Sequence, residues 1–414
     1  MEVVGFLRER FRAYYAKTPV AGPPDLAQRE FGTGDYGIKI NQRHLAFRSR
    51  EELNRFLREQ APFYISYSNA YYNYPDRRPM EAKKFIKADL VYEFDADDLK
   101  TDCKKQHDAW KCGKCGANGP GLLENCTSCG QRVEREEWVC GECLGAVKKQ
   151  VFRLLDFLEN DFGLSAADGM AINSSGGKGY HLHVRSEAVQ HLSNPARIEL
   201  LDYLTAANLD FKALGFYLTE DHRFVCPPRS RGEALGWARR LLDRLAEFLS
   251  TADASALSVY GRIGIPTAKK LLEKREKILA DLDKGLMHQF PGKQTEQFWG
   301  NLLAYAVEGL RLDVDRQTSA DISKIVRVPD TLHGSTGLLA KTVALEALPA
   351  FDPLKETVVF GGGGETVKVK ALKAPRFSLG GEGFGPYSQE VVELPEFAAI
   401  YLLARGAAEL LPRP

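Results

Sequence analysis

The chain of 414 residues is 44% hydrophobic and 27% charged, and its 56 basic and 55 acidic residues leave a net charge of +1. That length suits two or three domains of ordinary globular composition. A near-neutral chain excludes any argument for nucleic-acid binding from overall charge, so a polyanion-binding surface has to come from local clustering. The first helical signal, Glu2 to Tyr15, carries Val3, Phe6, Leu7 and Phe11 at helical spacing. It lacks the basic stretch and long apolar core of a signal peptide. Apolar runs such as 398–404 are too short to span a bilayer. The expected location is therefore cytoplasmic, with no membrane association.

Gly32, Gly34 and Gly37 suggest turns around short strands, Arg50 to Glu59 an amphipathic helix, and Tyr64 to Ser68 an alternating strand. The next strand, from Ala88 to Asp95, ends in Asp95-Ala96-Asp97-Asp98. Alternation along a strand would point Asp95 and Asp97 the same way. Two carboxylates so close repel unless a cation lies between them. Divalent magnesium or manganese prefers such oxygen ligands, and a pair of these ions is suited to phosphodiester chemistry. The competing reading is a solvated acidic turn.

Residues 103–143 form a polar insertion holding seven of the eight cysteines. Cys112/Cys115 and Cys126/Cys129 make a complete four-thiolate ribbon. Cys140/Cys143 need two further ligands, for which Cys103 and His107 are the available candidates. Clustered cysteines in a cytosolic chain point to metal ligands, and the expectation is two closed structural zinc sites. Cys226 stands alone and suits a buried apolar position.

A helix is expected over Val147 to Asn160, then strand, Gly-rich turn and strand over Met170 to Val184. That turn, Ser174-Ser175-Gly176-Gly177-Lys178-Gly179, lets backbone amides approach an anion and supplies a cation, with His181 and His183 behind it on one strand face. Four amphipathic helices are expected near 196–207, 233–250, 267–285 and 294–309. Leu312 to Asp315 alternates as a strand, with Asp313 and Asp315 on one face. A further strand, Lys324 to Val328, opens a basic stretch in which Lys324, Arg327, His333, Ser335 and Thr336 could donate to phosphate; taken singly, an exposed edge strand with solvated charge is the stronger reading. Val358 to Leu372 suggests a hairpin turning at Gly361–Gly364, and Pro395 to Glu409 a closing helix. The corresponding domain expectation has parts of one α/β domain, the candidate catalytic domain, at 1–102, 144–194 and 311–414, the zinc insertion at 103–143 and a helical subdomain at 195–310.

Taken in this order, the motifs resemble the catalytic (small) subunit of archaeal and eukaryotic DNA primases. Asp95 and Asp97 match the family's first two metal-binding acids. Ser175, Gly176, Gly177, Lys178 and His181 match its Ser-Gly-Gly-Lys/Arg-Gly-x-His motif. Arg327, Pro329, His333, Thr336 and Gly337 match its basic-x-Pro-x-x-x-His-x-x-Thr-Gly motif. Arg29-Glu30-Phe31 and Arg43 match N-terminal positions, and Leu394-Pro395-Glu396-Phe397 looks like the archaeal branch. The resemblance implies an α/β (α+β) fold with an RRM-like sheet carrying the acids, plus zinc and helical insertions. It implies that Asp95, Asp97 and Asp315, with Asp313 as understudy, hold two Mg²⁺ or Mn²⁺ ions. It further implies that Arg43, Ser175, Gly177, Lys178, His181, Arg327 and His333 bind the nucleotide. The partners it implies are a single-stranded DNA template, nucleoside triphosphates and a primase large subunit. The zinc knuckle of that family is matched by Cys103, His107, Cys140 and Cys143, with the Cys112–Cys129 ribbon inserted in it. A two-metal nuclease and a non-catalytic zinc-ribbon adaptor are the rival readings of the acids and cysteines.

Overall fold

The computed structural model describes residues 2–412 except 230, 231, 233, 292, 293, 315, 362 and 363. Asp315, Gly362 and Gly363 thus lie outside the described residues. The chain divides into two units, Met1–Phe152 with Ser165–Ile198 and Asp313–Pro414, and Arg153–Leu164 with Glu199–Leu312. Among the described residues no helix is long and apolar enough to cross a membrane.

The first unit is mixed α/β and is built on two antiparallel four-stranded sheets. Their strands, in chain order, are β1 (Phe31–Asp35), β2 (Ile38–Leu45), β3 (Tyr64–Ser68), β4 (Leu90–Asp95), β5 (Met170–Ser174), β6 (Gly179–Val184), β7 (Ile325–Arg327) and β8 (Lys341–Val343). The first sheet runs β7-β3-β1-β2 and the second β8-β5-β6-β4. β3 and β6 are buried along their whole length, whereas β2 is largely exposed. Phe11 from helix Glu2–Lys17, Leu53 and Leu57 from helix Arg50–Gln60, and Phe31 and Phe63 are fully buried. Ser49 caps the second helix by accepting from the Glu52 amide, the expected use of a hydroxyl at that position. Arg29 is buried against Asp89 at 2.8 Å and also donates to the Ser68 and Asn69 carbonyls, so its charge is matched inside the core.

The second unit is helical. Its helices include Gly236–Thr251, Ala254–Gly261, Ile265–Leu272, Arg275–Asp283 and Gln294–Leu310. Trp237, Leu241, Leu242, Leu245, Trp299, Leu302 and Leu303 are buried at helical spacing. Cys226 is buried, and burial pushes its thiol up to about 12.

Several elements differ from the expectations. The stretch expected as one helix near 267–285 is two, because the Lys274 amide bonds back three residues to Leu271 and tightens the turn. Leu312 to Val314 form no strand. The stretch 358–372 is not a hairpin. Strand Thr366–Ala374 pairs instead with Tyr387–Pro395 and Ala408–Leu410, burying Val369 and Ala371 on one face. The closing helix is Glu396–Ala404. Gly406, at φ +70°, turns the chain out of the helix and into Ala408–Leu410.

Candidate active site

β4 and β6 pair with Glu93 opposite His181 and Asp95 opposite Gly179. Gly179 is the first residue of β6, so β4 runs out of partner at Asp95. The chain then bends into a 3₁₀ turn, Ala96–Asp98, with the Ala96 amide on the Lys178 carbonyl. Asp97 therefore lies on this turn and not on the strand face expected for it. The residue two before Asp95 on the same face is Glu93. A side chain at Gly179 could not fit, since a Cβ there would sit 1.8 Å from the Phe94 carbonyl oxygen and 2.8 Å from Asp95 Oδ1.

The carboxylates have different environments. Glu93 reaches His181 Nε2 at 3.3 Å and Lys324 Nζ at 3.3 Å. Burial alone would raise its pKa, but the His181 hydrogen bond and charge, then Lys324, hold it down at about 2. Burial, then the charge of Glu93, pushes Asp95 up to about 6. Asp97 is ion-paired to Lys178, yet burial still raises it. The cluster thus contains carboxyl groups that a divalent cation would favour in their ionised form.

The Gly-rich turn closes on itself. Ser175 Oγ accepts from the Gly177 amide at 3.2 Å and the Gly179 amide at 3.1 Å. Lys178 extends to Asp97 and to Glu137, 2.9 Å away. His333 packs directly on this turn, since a Cβ on Gly177 would be 2.8 Å from its Nε2. Thr336 Oγ1 donates to the Gly176 carbonyl at 2.6 Å. His333 Nδ1 accepts from the Ser335 amide at 3.3 Å, which leaves the Nε2 proton toward Gly177. Burial, then Arg327, keeps this imidazole neutral, well below its ordinary pKa.

Arg327 lies over the Tyr64 ring at 5.0 Å, and its Nη1 is buried with no hydrogen-bond partner among the described residues. Burial lowers its pKa to about 10, so it remains a cation at neutral pH. Tyr64 also meets the His333 ring edge-on at 5.6 Å and bonds Ser335 Oγ. Arg43 donates to Glu30 at 3.0 Å and to the Ser323 carbonyl at 3.2 Å, while Lys83 pairs with the same buried Glu30 at 3.4 Å. Asp313 accepts from Gln150 at 3.4 Å. His183 is wholly buried and stacks on Tyr67, and it belongs to the core.

Glu93, Tyr64 and Glu137 escaped the sequence reading. The alternation rule applied one step back from Asp95 finds Glu93. Nothing local marks Tyr64 or Glu137, whose partners are brought up from distant segments.

The cysteines form two groups, Cys103/His107/Cys140/Cys143 and Cys112/Cys115/Cys126/Cys129, each with ligand atoms within 4.8 Å of one another. Sulfur–sulfur separations of 3.3 to 3.8 Å approach the roughly 3.8 Å edge of a tetrahedron with zinc–sulfur arms of about 2.3 Å. Two equivalent knuckles build the ribbon: the Cys112 amide bonds Ala117 and the Cys126 amide bonds Gln131, both at 2.7 Å. His107 Nδ1 is 2.7 Å from Asp108, which orients Nε2 toward Cys143 Sγ at 3.3 Å. The donor set and spacing fit zinc at both groups.

The family model for the DNA primase small subunit matches residues 132–345. The chain is 32% identical to the DNA primase small subunit PriS of Methanothrix thermoacetophila, over 98% of each protein. It is 32% identical to PriS of Methanosarcina barkeri, over 98% of this chain and 96% of that one, and 30% identical to PriS of Cenarchaeum symbiosum, over 97% of each.

Proposed function

The chain belongs to the DNA primase small-subunit family, and from that premise we propose that it is the catalytic subunit of a primase. It makes short primers on single-stranded DNA from nucleoside triphosphates by two-metal nucleotidyl transfer. The observation that carries this reading is a meeting of opposite charges from distant segments. Asp95 and Glu93 share a strand face, Lys178 joins Asp97 to the Gly-rich turn, and His333 packs on that turn.

Asp95, with Asp97 and Glu93 beside it, would hold Mg²⁺ or Mn²⁺, and Asp315 is added by the family resemblance. Such ions lower the pKa of an attacking 3′-hydroxyl and offset charge on the α-phosphate. Arg327 supplies a fixed guanidinium with a buried N–H that is unused among the described residues, a preorganised partner for a phosphate oxygen. His333 is neutral and keeps an Nε2–H to donate. Lys178 adds a second positive group, and His181 is tied to Glu93 as its orienting partner. Ser175 acts by closing the turn that presents the Gly177 amide region, and Arg43 is held by Glu30. Both cysteine groups hold structural zinc, closed sites with no open position for chemistry. A large subunit completes the enzyme. A nuclease would use the acids but has no need of the Arg327, His333 and Lys178 group.

The purified protein, incubated with single-stranded DNA, labelled nucleotides and Mn²⁺, should yield short labelled products. Shortening of the DNA without incorporation would refute the reading.

A further inference from the structure

Lys178 Nζ lies between two carboxylates of different origin. One is Asp97, on the acidic turn. The other is Glu137, 2.9 Å away, on the stretch that leaves the inserted ribbon and enters the Cys140–Cys143 zinc group. All three side chains are only partly exposed.

The backbone around Glu137 is fixed from several directions. Its carbonyl accepts from Arg405. The next amide, of Trp138, donates to Asp108 Oδ1 at 2.9 Å, and that same oxygen is 2.7 Å from His107 Nδ1. The Trp138 ring packs against Phe377 at 5.7 Å and Tyr401 at 6.1 Å, with Arg405 over it at 4.3 Å. Glu137 is thus carried on a rigid link between a zinc ligand and the C-terminal helix.

Asp97 is poorly suited to be the lasting partner of Lys178. A divalent cation on the acidic turn competes with the ammonium group for Asp97 and repels it at short range. Glu137 stays behind as the remaining counter-charge. We propose that Glu137 is a positioning residue: it keeps the Lys178 ammonium aimed at the triphosphate when metal takes Asp97, and it links the zinc group to nucleotide binding. The inference rests on the reading of Lys178 as a triphosphate contact.

The test is calorimetric binding of a non-hydrolysable nucleoside triphosphate with Mg²⁺ to the full chain. The proteins compared are wild type, Lys178→Ala, Glu137→Gln, Glu137→Asp and the Lys178→Ala/Glu137→Gln double variant. Zinc content and melting temperature are measured on each. Glu137→Gln should retain its zinc and bind the triphosphate about three- to tenfold more weakly. The same factor should appear in nucleotide KM, with kcat changed much less. Glu137→Asp should recover part of the loss. The double variant should bind no more weakly than Lys178→Ala. If Lys178→Ala weakens binding but Glu137→Gln binds like wild type, the positioning role is wrong while the Lys178 reading survives. If Lys178→Ala itself binds like wild type, the underlying reading fails. Equal weakening by Glu137→Gln and Glu137→Asp together with loss of zinc would also overturn the proposal, assigning Glu137 to folding of the insertion.

Discussion

Asp95→Asn should make the protein more stable while abolishing synthesis. Asp95 is half-buried beside Glu93 and Asp97, and its pKa is raised from an ordinary 3.8 to about 6. A carboxyl whose folded pKa exceeds its unfolded one binds protons more tightly in the folded state. Its contribution is therefore full below about pH 3.8 and is lost as pH rises toward about 6. The interval is about two pH units at about 1.4 kcal/mol each, so ionised Asp95 costs the metal-free fold about 3 kcal/mol at neutral pH. Asparagine keeps the shape and removes the charge. The assay is thermal and urea denaturation of both proteins, purified without chelator so that zinc stays bound and without added Mg²⁺ or Mn²⁺. At about pH 7.5 the variant should be the more stable, and the advantage should fade near pH 4. Added Mn²⁺ should then stabilise wild type and leave the variant unmoved, since only a ligand that binds the folded state shifts the equilibrium. A variant less stable than wild type at neutral pH, or an advantage that does not change with pH, would refute the assignment of an uncompensated carboxylate at this position.

Glu93→Gln, on the same strand face, should have the opposite sign: it strips the charge that holds His181 and Lys324, destabilising the chain by about 1–3 kcal/mol in the same denaturation assay, along with loss of synthesis. Cys112→Ser should release one of two zinc ions per chain by elemental analysis and leave the other in place, because the two groups share no ligand. Arg327→Ala should lower kcat/KM for nucleoside triphosphates about ten- to hundredfold, the loss of one charge-assisted contact, with template affinity changed much less. If template affinity collapses instead while nucleotide KM holds, Arg327 belongs to the nucleic-acid track.

The two Cys/His groups that could hold a metal were legible from spacing alone. A knuckle is a local turn, so Cys112/Cys115 and Cys126/Cys129 announce their geometry within four residues, and only two candidates remained to complete the Cys140/Cys143 pair. The strands carrying Asp95, the Ser175–His181 turn and Arg327 were legible for the same reason, since apolar alternation is a property of neighbours. Helix ends were less so: Gly406 stops the last helix and turns it into a strand edge whose partner is Val369–Ala371, far upstream. Which carboxylates share a face was decided by pairing, because β4 extends only as far as β6 supplies a partner, and that puts Glu93 with Asp95 and sends Asp97 onto a turn. The opposed ionisation of Glu93 and Asp95 likewise had to wait for tertiary structure. It depends on His181 and Lys324 bonding directly to Glu93, while Asp95 feels His181 only as a nearby charge beside the stronger push of burial and Glu93, and burial and long-range partners leave no mark on a strand's own sequence.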